Sequence, residues 1–316
     1  RTLTMPNYNG VWSLTTQFQY AADWNSDNPN PTIGLFGGGN GPVNVIQQLI
    51  IGTGADTTDF GDLTAAGEIQ AACGSSTRGV WFGGERSGSS SNIIDFVTFS
   101  SAGNASDFGN LTNATRLNAA HSNATRGVNG AGIVSSRVDV MDYITIASEG
   151  NASDFGDLLG AKNSLGSTAS TTRGIFAGGF GPSANSDVIE YITIASTGNA
   201  SDFGNLLSAT TAHPAGAASN TRGIFAGGGS SIDVIQYITI ASTGNATDFG
   251  DLVTGRANGA SNSNKILALF AGGDNSGALN SINKITIAST GNATDSGDLL
   301  AANTHLQGCS NGHGGL

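Results

Sequence analysis

The chain has 316 residues, of which 11% are charged and 48 are glycine, and its formal net charge is −11. This acidic balance argues against binding to nucleic acids and anionic membranes, because no basic face is available to neutralise phosphates. No apolar run approaches the ~20 residues that a membrane-spanning helix requires, so no membrane insertion is expected. The low lysine content and the abundant serine, threonine, asparagine and glycine indicate an extracellular or virion surface.

Residues 1–30 precede the first repeat and are predicted to form a segment of their own. Trp12, Phe18, Tyr20 and Trp24 make this segment aromatic. Large aromatic side chains bury well against other surfaces, so we expect the segment to pack on the rest of the chain or on a partner. Residues 31–316 are predicted to form a single domain.

An Asp-Phe-Gly motif recurs through this domain at nearly constant spacing. Successive copies are 46 to 48 residues apart, measured at the central residue. A period in the 40s with strand-type sequence is typical of a β-propeller, in which each repeat forms one blade. The six copies are centred on Phe60, Phe108, Phe155, Phe203, Phe249 and, with serine in place of phenylalanine, Ser296.

The fourth unit shows the strands of one blade in order. Residues 174–178 form a short strand that leads into the Gly178-Gly179 pair, and residues 188–194 form a β-branched and aromatic strand. That strand is apolar on both faces, so it must be covered on both sides, as it would be between two blades. The glycine and asparagine at 198–199 suit a hairpin turn. The sequence therefore predicts an all-β, six-bladed β-propeller with four strands per blade.

The last unit is predicted to close the ring on the first. The first unit begins near Thr32 without an inner strand, whereas Ala301–Asn311 has no following unit to join. We therefore expect this segment to pair beside the strand around Leu35–Gly39, which would remove open sheet edges.

These repeats resemble the kelch motif, with phenylalanine in place of its usual tryptophan. Their wording, in Thr-Arg-Gly-Ile-Phe-Ala-Gly-Gly and Tyr-Ile-Thr-Ile-Ala-Ser-Thr-Gly-Asn-Ala-Thr-Asp-Phe-Gly-Asp-Leu, resembles repeat-containing tail and virion structural proteins of marine bacteriophages, as does the ending at 308–316. The resemblance covers about residues 32–316 and implies no residue-level activity. The third unit (128–132) and the sixth (265–268) depart from the pattern, so irregular blades are expected there.

Three repeated features carry side chains that could form a chemical site. Paired carboxylates such as Asp154 with Asp157 could bind Ca²⁺ or act as acid and base. Sixfold repetition favours turn capping instead, because catalysis needs one asymmetric site. The Asn-Ala-Ser/Thr sequences match glycosylation acceptors, but all lie in the same predicted turn. The repeated arginines suggest solvated turn residues or partners for the hairpin aspartates; they are Arg78, Arg126, Arg173 and Arg222.

One position, 13 residues after the motif centre, carries both cysteines of the chain. Two cysteines and a histidine in adjacent blades could meet near the axis and take a soft metal. No Cys-x-x-Cys pair supports a metal, so buried, unbridged thiols and no cofactor are expected. Around the ring this position is predicted to hold Cys309, Cys73, His121, Thr168, Gly216 and Asn262.

Binding specificity is expected on the face that carries the variable loops, because a rigid scaffold holds them there. Phe180 stands out as a stacking platform for a sugar or an anchor for a protein, although folding back onto its own blade is an equal alternative. The candidate ligand-binding residues are Asn40, Arg86, Phe180, Asn185, His213 and Asp274.

The favoured function is a non-enzymatic virion component of a phage tail or fibre that attaches to a host surface. Its expected partners are other virion or tail proteins or copies of itself, and a host glycan or protein. A secreted kelch-type binding module, either a lectin or a protein-interaction ring, is the alternative. A propeller enzyme is disfavoured, because no asymmetric cluster of histidine, tyrosine, arginine and acids is visible.

Overall fold

A computed structural model describes residues 31–41, 43–209 and 214–316. The chain divides into two compact units, Arg1–Pro31 and Thr32–Leu316. The predicted aromatic segment 1–30 lies outside the described residues. No helix among those residues is long and apolar enough to cross a membrane.

The second unit consists of six antiparallel sheets, here called blades 1 to 6. Blades 1 to 3 contain β1 (Ile33–Gly37), β2 (Val43–Ile50), β3 (Thr58–Gly67); β4 (Ala71–Gly74), β5 (Arg78–Phe82), β6 (Glu85–Arg86), β7 (Ser89–Thr98), β8 (Ser106–Thr115); and β9 (Ala119–Ser122), β10 (Arg126–Gly130), β11 (Val138–Thr145), β12 (Ser153–Lys162). Blades 4 to 6 contain β13 (Gly166–Ala169), β14 (Arg173–Ala177), β15 (Val188–Thr193), β16 (Ser201–Asn205); β17 (Ala215–Ala218), β18 (Arg222–Ala226), β19 (Val234–Thr239), β20 (Thr247–Asp251); and β21 (Ala260–Ser263), β22 (Leu267–Ala271), β23 (Ser281–Thr286), β24 (Thr294–Asp298). The last strand, β25 (Gln307–Ser310), joins blade 1.

Strand β25 closes the ring. It pairs antiparallel with β1, and Leu35 lies opposite Cys309. It also contacts the innermost strands β21 and β4 of the two adjacent blades, as each innermost strand contacts its neighbours around the ring. The predicted six-bladed propeller with four strands per blade, and its closure by the 301–311 segment, are therefore confirmed. Blade 2 carries the short β6 beside β7 in addition to its four main strands.

The hydrophobic core lies between the blades. Each of the six buried clusters combines residues of two adjacent blades, so there is one cluster for each blade interface. The motif phenylalanines belong to these clusters; Phe155, for example, is 2% exposed and meets the Tyr143 ring edge-to-face at a centroid distance of 6.0 Å. Burying one such side chain contributes about 1.5–3 kcal/mol, so the repeat itself provides much of the stability of the ring.

The two units that depart from the repeat still form regular four-stranded blades, contrary to expectation. In blade 3, Ala131 takes the place of the first glycine of the Gly-Gly pair and adopts its left-handed conformation, with φ 61°. In blade 6, Ala268 takes the place of the glycine in Thr-Arg-Gly. Alanine fits there because the preceding blade has Ala217, itself small, in the same cluster.

Candidate binding surface

The ring has two faces of different character, as the order of antiparallel strands requires. One carries the short turns between the first and second strands and the hairpins between the third and fourth; we call it the hairpin face. The other carries the loops between the second and third strands and the connections between blades; we call it the loop face. The hairpin face is nearly identical from blade to blade, whereas the loop face varies.

The repeated arginines hold neighbouring blades together on the hairpin side. The Arg173 guanidinium lies 4.6 Å from the centre of the Tyr191 ring in its own blade. Its Nη1 also donates to the Ile240 carbonyl of the next blade at 3.0 Å. Arg78, Arg126 and Arg222 repeat this arrangement. The prediction of solvated turn residues or aspartate partners was therefore wrong, because each arginine bridges two blades.

The repeated asparagines also bridge blades. The side-chain oxygen of Asn199 accepts a hydrogen bond of 3.1 Å from the Asp157 backbone N–H of the preceding blade. A Cβ on Gly156, just before Asp157, would lie 2.5 Å from the Gly198 carbonyl oxygen, so glycine permits this close approach. The other members make the same bond; they are Asn104, Asn151, Asn245 and Asn292. The constant features of the hairpin face thus serve assembly of the ring.

The cysteine position lies inside the blade interfaces. The Sγ atoms of Cys73 and Cys309 lie against Gly127 and Gly79 of the following blades, and the His121 ring lies against Gly174. Both cysteines are free, as predicted. No group of three or more metal-ligating side chains with suitable geometry occurs among the described residues. The register places Ala217, not Gly216, at this position in blade 5, because the chain after Phe203 is one residue longer there.

Burial suppresses the reactivity of these groups. Burial raises the pKa of the Cys73 thiol to about 12. Because the thiolate is the nucleophile and the metal ligand, this thiol is inert near neutral pH. Burial also lowers the pKa of His121 to about 3, helped by the nearby His313. Cys73 and His121 therefore do not provide the activated nucleophile or the general base of a catalytic site.

We expect His121 to make the fold sensitive to acid. Its pKa is lowered from 6.5 to about 3 on folding. Stability is therefore full above pH 6.5 and is lost as the pH falls toward 3, since the unfolded chain takes up the proton first. At pH 4.5 this proton uptake should lower the free energy of unfolding by roughly 2–3 kcal/mol. His121→Thr, which introduces the residue that blade 4 has at this position, should remove that loss. Urea unfolding at pH 7 and pH 4.5 measures the difference. Thr168→Val is the control and should change the free energy of unfolding by the same amount at pH 7 and at pH 4.5. If His121→Thr also gave the same change at both pH values, His121 would not be the source of the acid sensitivity.

Residues 311–316 cover the central channel on the hairpin face. His313 donates from Nε2 to the Gly74 carbonyl at 2.8 Å. Its Nδ1 accepts from the Gly315 backbone N–H at 3.1 Å, which defines the neutral tautomer. Burial lowers the pKa of His313, so this arrangement is retained at neutral pH. A cavity of about 60 Å³ lies beneath this segment, within the channel.

The loop face contains five of the six predicted ligand-binding residues, and the sixth, His213, lies outside the described residues. Asn40 and Asn185 are exposed. The Asp274 carboxylate accepts from the Asn258 amide at 2.9 Å, which ties two parts of the loop face together. Arg86 is 7% exposed and forms an ion pair with Asp95 at 2.7 Å. The Arg86 guanidinium also donates to the Thr64 hydroxyl of blade 1 at 3.2 Å, so this side chain is buried between blades 1 and 2 and is not presented to a ligand at the surface.

Phe180 is half-buried, and its ring is covered by a neighbouring blade. The Arg137 guanidinium lies 4.4 Å from the ring centre, and Arg137 Nε donates to the Asn163 side chain at 3.0 Å. Backbone bridges link Phe180 to Asn163 and to Asn185. The ring thus neither stands free as a platform nor folds back only onto its own blade, since Arg137 belongs to blade 3.

The central channel opens at the loop face into a second cavity of about 60 Å³, which sequence reasoning missed. Around this opening, one residue in each described connection between blades adopts a left-handed conformation, with φ between 51° and 61°. We call these the mouth residues; they are Ile69, Leu117, Ser164, Asn258 and His305. The connection between blades 4 and 5 includes residues outside the described ranges.

Backbone hydrogen bonds link the mouth residues in a chain around the axis. The N–H of Ser164 donates to the Leu117 carbonyl at 2.8 Å, and the N–H of Leu117 donates to the Ile69 carbonyl at 3.0 Å. The chain continues from Ile69 to His305 at 3.2 Å and from His305 to Asn258 at 2.8 Å. The backbone polar groups at the opening are therefore largely used, and side chains determine what the mouth can bind. Comparison of the chain with protein-family models and with curated proteins finds no match.

Proposed function

We propose that this protein is a non-enzymatic virion component of a phage tail or fibre that attaches to a host surface. One observation supports the proposal most directly: the ring separates a constant face from a variable one. The constant face uses its arginines and asparagines to join blades. The variable face presents loops of differing sequence on a rigid closed scaffold, an arrangement suited to recognition.

The resemblance of the repeat sequences to those of phage tail and virion proteins supports a location in the virion. The inert state of the buried Cys73 thiol and the neutral His121 side chain supports a role without catalysis. A secreted kelch-type binding module, either a lectin or a protein-interaction ring, is the second candidate, because the same division of faces would serve it.

The two candidates differ in assembly. Antibodies against the purified ring should label phage tails in electron micrographs, and an excess of the ring should slow adsorption of the phage to host cells. Detection of the chain only as a free secreted monomer would favour the kelch-type module. Turnover of a substrate by the pure protein would contradict both.

We expect attachment to depend on the loop face. Asn185→Ala removes an exposed polar side chain from this face and should weaken binding to host cells, whereas its melting temperature should stay unchanged. Thr197→Ala, at an exposed position on the hairpin face, is the matched control. If only the control variant bound host cells more weakly, attachment would depend on the hairpin face, and this prediction would be wrong.

A further inference from the structure

We propose that the loop-face mouth of the central channel binds a neutral, hydroxyl-rich ligand, such as the terminal sugar of a surface glycan, through the side chains of the mouth residues. This inference rests on the proposed function of surface attachment and names the site and the ligand class. The mouth is where connections from different blades meet on the axis, so one ligand can contact several of them.

The first argument comes from backbone strain. A left-handed conformation disfavours every residue with a Cβ, and a β-branched residue such as Ile69 most of all. Glycine would relieve this strain, and the chain uses glycine at most of its other positions of positive φ. Within the described ranges, the non-glycine exceptions away from the mouth are all alanine or serine; they are Ser87, Ala131, Ser230, Ser231 and Ser276.

Within the described ranges, large side chains thus adopt the left-handed conformation only at the mouth, where Ile69, Leu117, Asn258 and His305 line the cavity. Asparagine and histidine adopt this conformation more readily than other residues with a Cβ, so Ile69 and Leu117 carry the strain. Folding stability alone would favour glycine at these positions. Strain of this kind is concentrated at ligand-binding sites in proteins, because the side chain there is needed for another reason. The strained residues therefore mark the mouth as a functional site.

The lining of the cavity indicates the ligand class. Among the residues that the structure describes, the lining contains no aspartate, glutamate, lysine or arginine, so it does not match a charged ligand. Burial lowers the pKa of His305, which leaves its imidazole neutral near pH 7. Amide, imidazole and hydroxyl groups hydrogen-bond to sugar hydroxyls, and the aliphatic side chains of Ile69 and Leu117 can contact the C–H faces of a sugar.

Buried amides at the wall support a polar ligand. Gln70 is 2% exposed and lines the cavity, yet neither polar atom of its side-chain amide has a hydrogen-bond partner in the described protein. Asn118 also lines the cavity, and its side-chain oxygen likewise has no hydrogen-bond partner in the described protein. Buried polar groups are almost always bonded, so these unsatisfied atoms give the cavity wall a polar character. The volume of about 60 Å³ holds several water molecules and suits the end of one sugar.

The test separates a binding role of the mouth residues from a structural one. In the full chain, Ile69→Gly/His305→Gly should keep or raise the melting temperature, because glycine relieves the strain. The same variant should bind neutral sugars at least about tenfold more weakly. Binding of glucose, galactose, mannose and N-acetylglucosamine is measured by saturation-transfer NMR, with sialic acid as the charged comparison. Ser230→Gly and Ser276→Gly, which relieve strain away from the mouth, are the matched controls and should bind like the wild type.

Several outcomes would overturn the inference. A clear drop in melting temperature would show that the mouth side chains fill space. Undiminished sugar binding by the double variant would place the site elsewhere, and wild-type binding to sialic acid or to no sugar would reject the ligand class. In each case, if the wild-type protein still attached to host cells, the proposed function would be unaffected. Loss of that attachment in the wild type would reject the proposed function as well.

Discussion

Gly174→Ala is expected to destabilise the ring severely, by roughly 3 kcal/mol. The added Cβ would lie 1.8 Å from Nε2 of His121 in the preceding blade. The imidazole cannot move away easily, because it is 4% exposed and its ring centre lies 4.6 Å from that of Phe176. Reversible urea unfolding, followed by circular dichroism, measures the loss.

Shortening the side chain at position 121 should remove the same clash. His121→Ala/Gly174→Ala recreates the Ala217 and Ala268 pair that the chain already uses between blades 5 and 6. The double variant should recover most of the lost stability, which gives a strong coupling in a double-mutant cycle. Gly160→Ala is the control and should be neutral, since nothing lies within 4 Å of its added Cβ. Additive effects of the two substitutions would disprove the contact.

Lys162→Met is expected to cost roughly 3–5 kcal/mol. Glu190 is 0% exposed; its carboxylate accepts from Lys162 Nζ and, at 2.6 Å, from the Leu159 backbone N–H of the preceding blade. Removing the lysine leaves a buried carboxylate with one hydrogen bond and no counter-charge. Chemical denaturation at pH 7 is the measurement.

A second substitution should rescue this variant. Gln236 occupies the position of Glu190 in the next blade and accepts from the Leu207 N–H at 2.8 Å. Lys162→Met/Glu190→Gln should therefore recover most of the stability. Glu149→Gln, which removes the exposed ion pair with Arg78, is the control and should cost about 0–1 kcal/mol. An effect of Lys162→Met no larger than that of the control would show that the buried pair contributes little.

In all six blades, one buried side chain of the third strand accepts a hydrogen bond from the preceding blade. The sequence does not reveal this repeated feature. The position holds different residues in the six blades, although each accepts a hydrogen bond from the preceding blade. The members are Gln47, Asp95, Asp142, Glu190, Gln236 and Asn283. A repeat search responds to constant residue types, so it detects the Asp-Phe-Gly phenylalanines and overlooks a role that amides and carboxylates share.

The sequence by itself determined the number of blades, the strands of each blade and the closure by β25. Period, strand patterns and the surplus segment 301–311 are local signals, and they predict pairing without any knowledge of neighbouring blades. The tertiary structure decided the rest. Arg173 joins blades, Arg86 is buried, and Ile69 is strained at the mouth. These properties depend on which atoms of an adjacent blade lie within a few ångströms, and spacing along one chain carries no information about that distance.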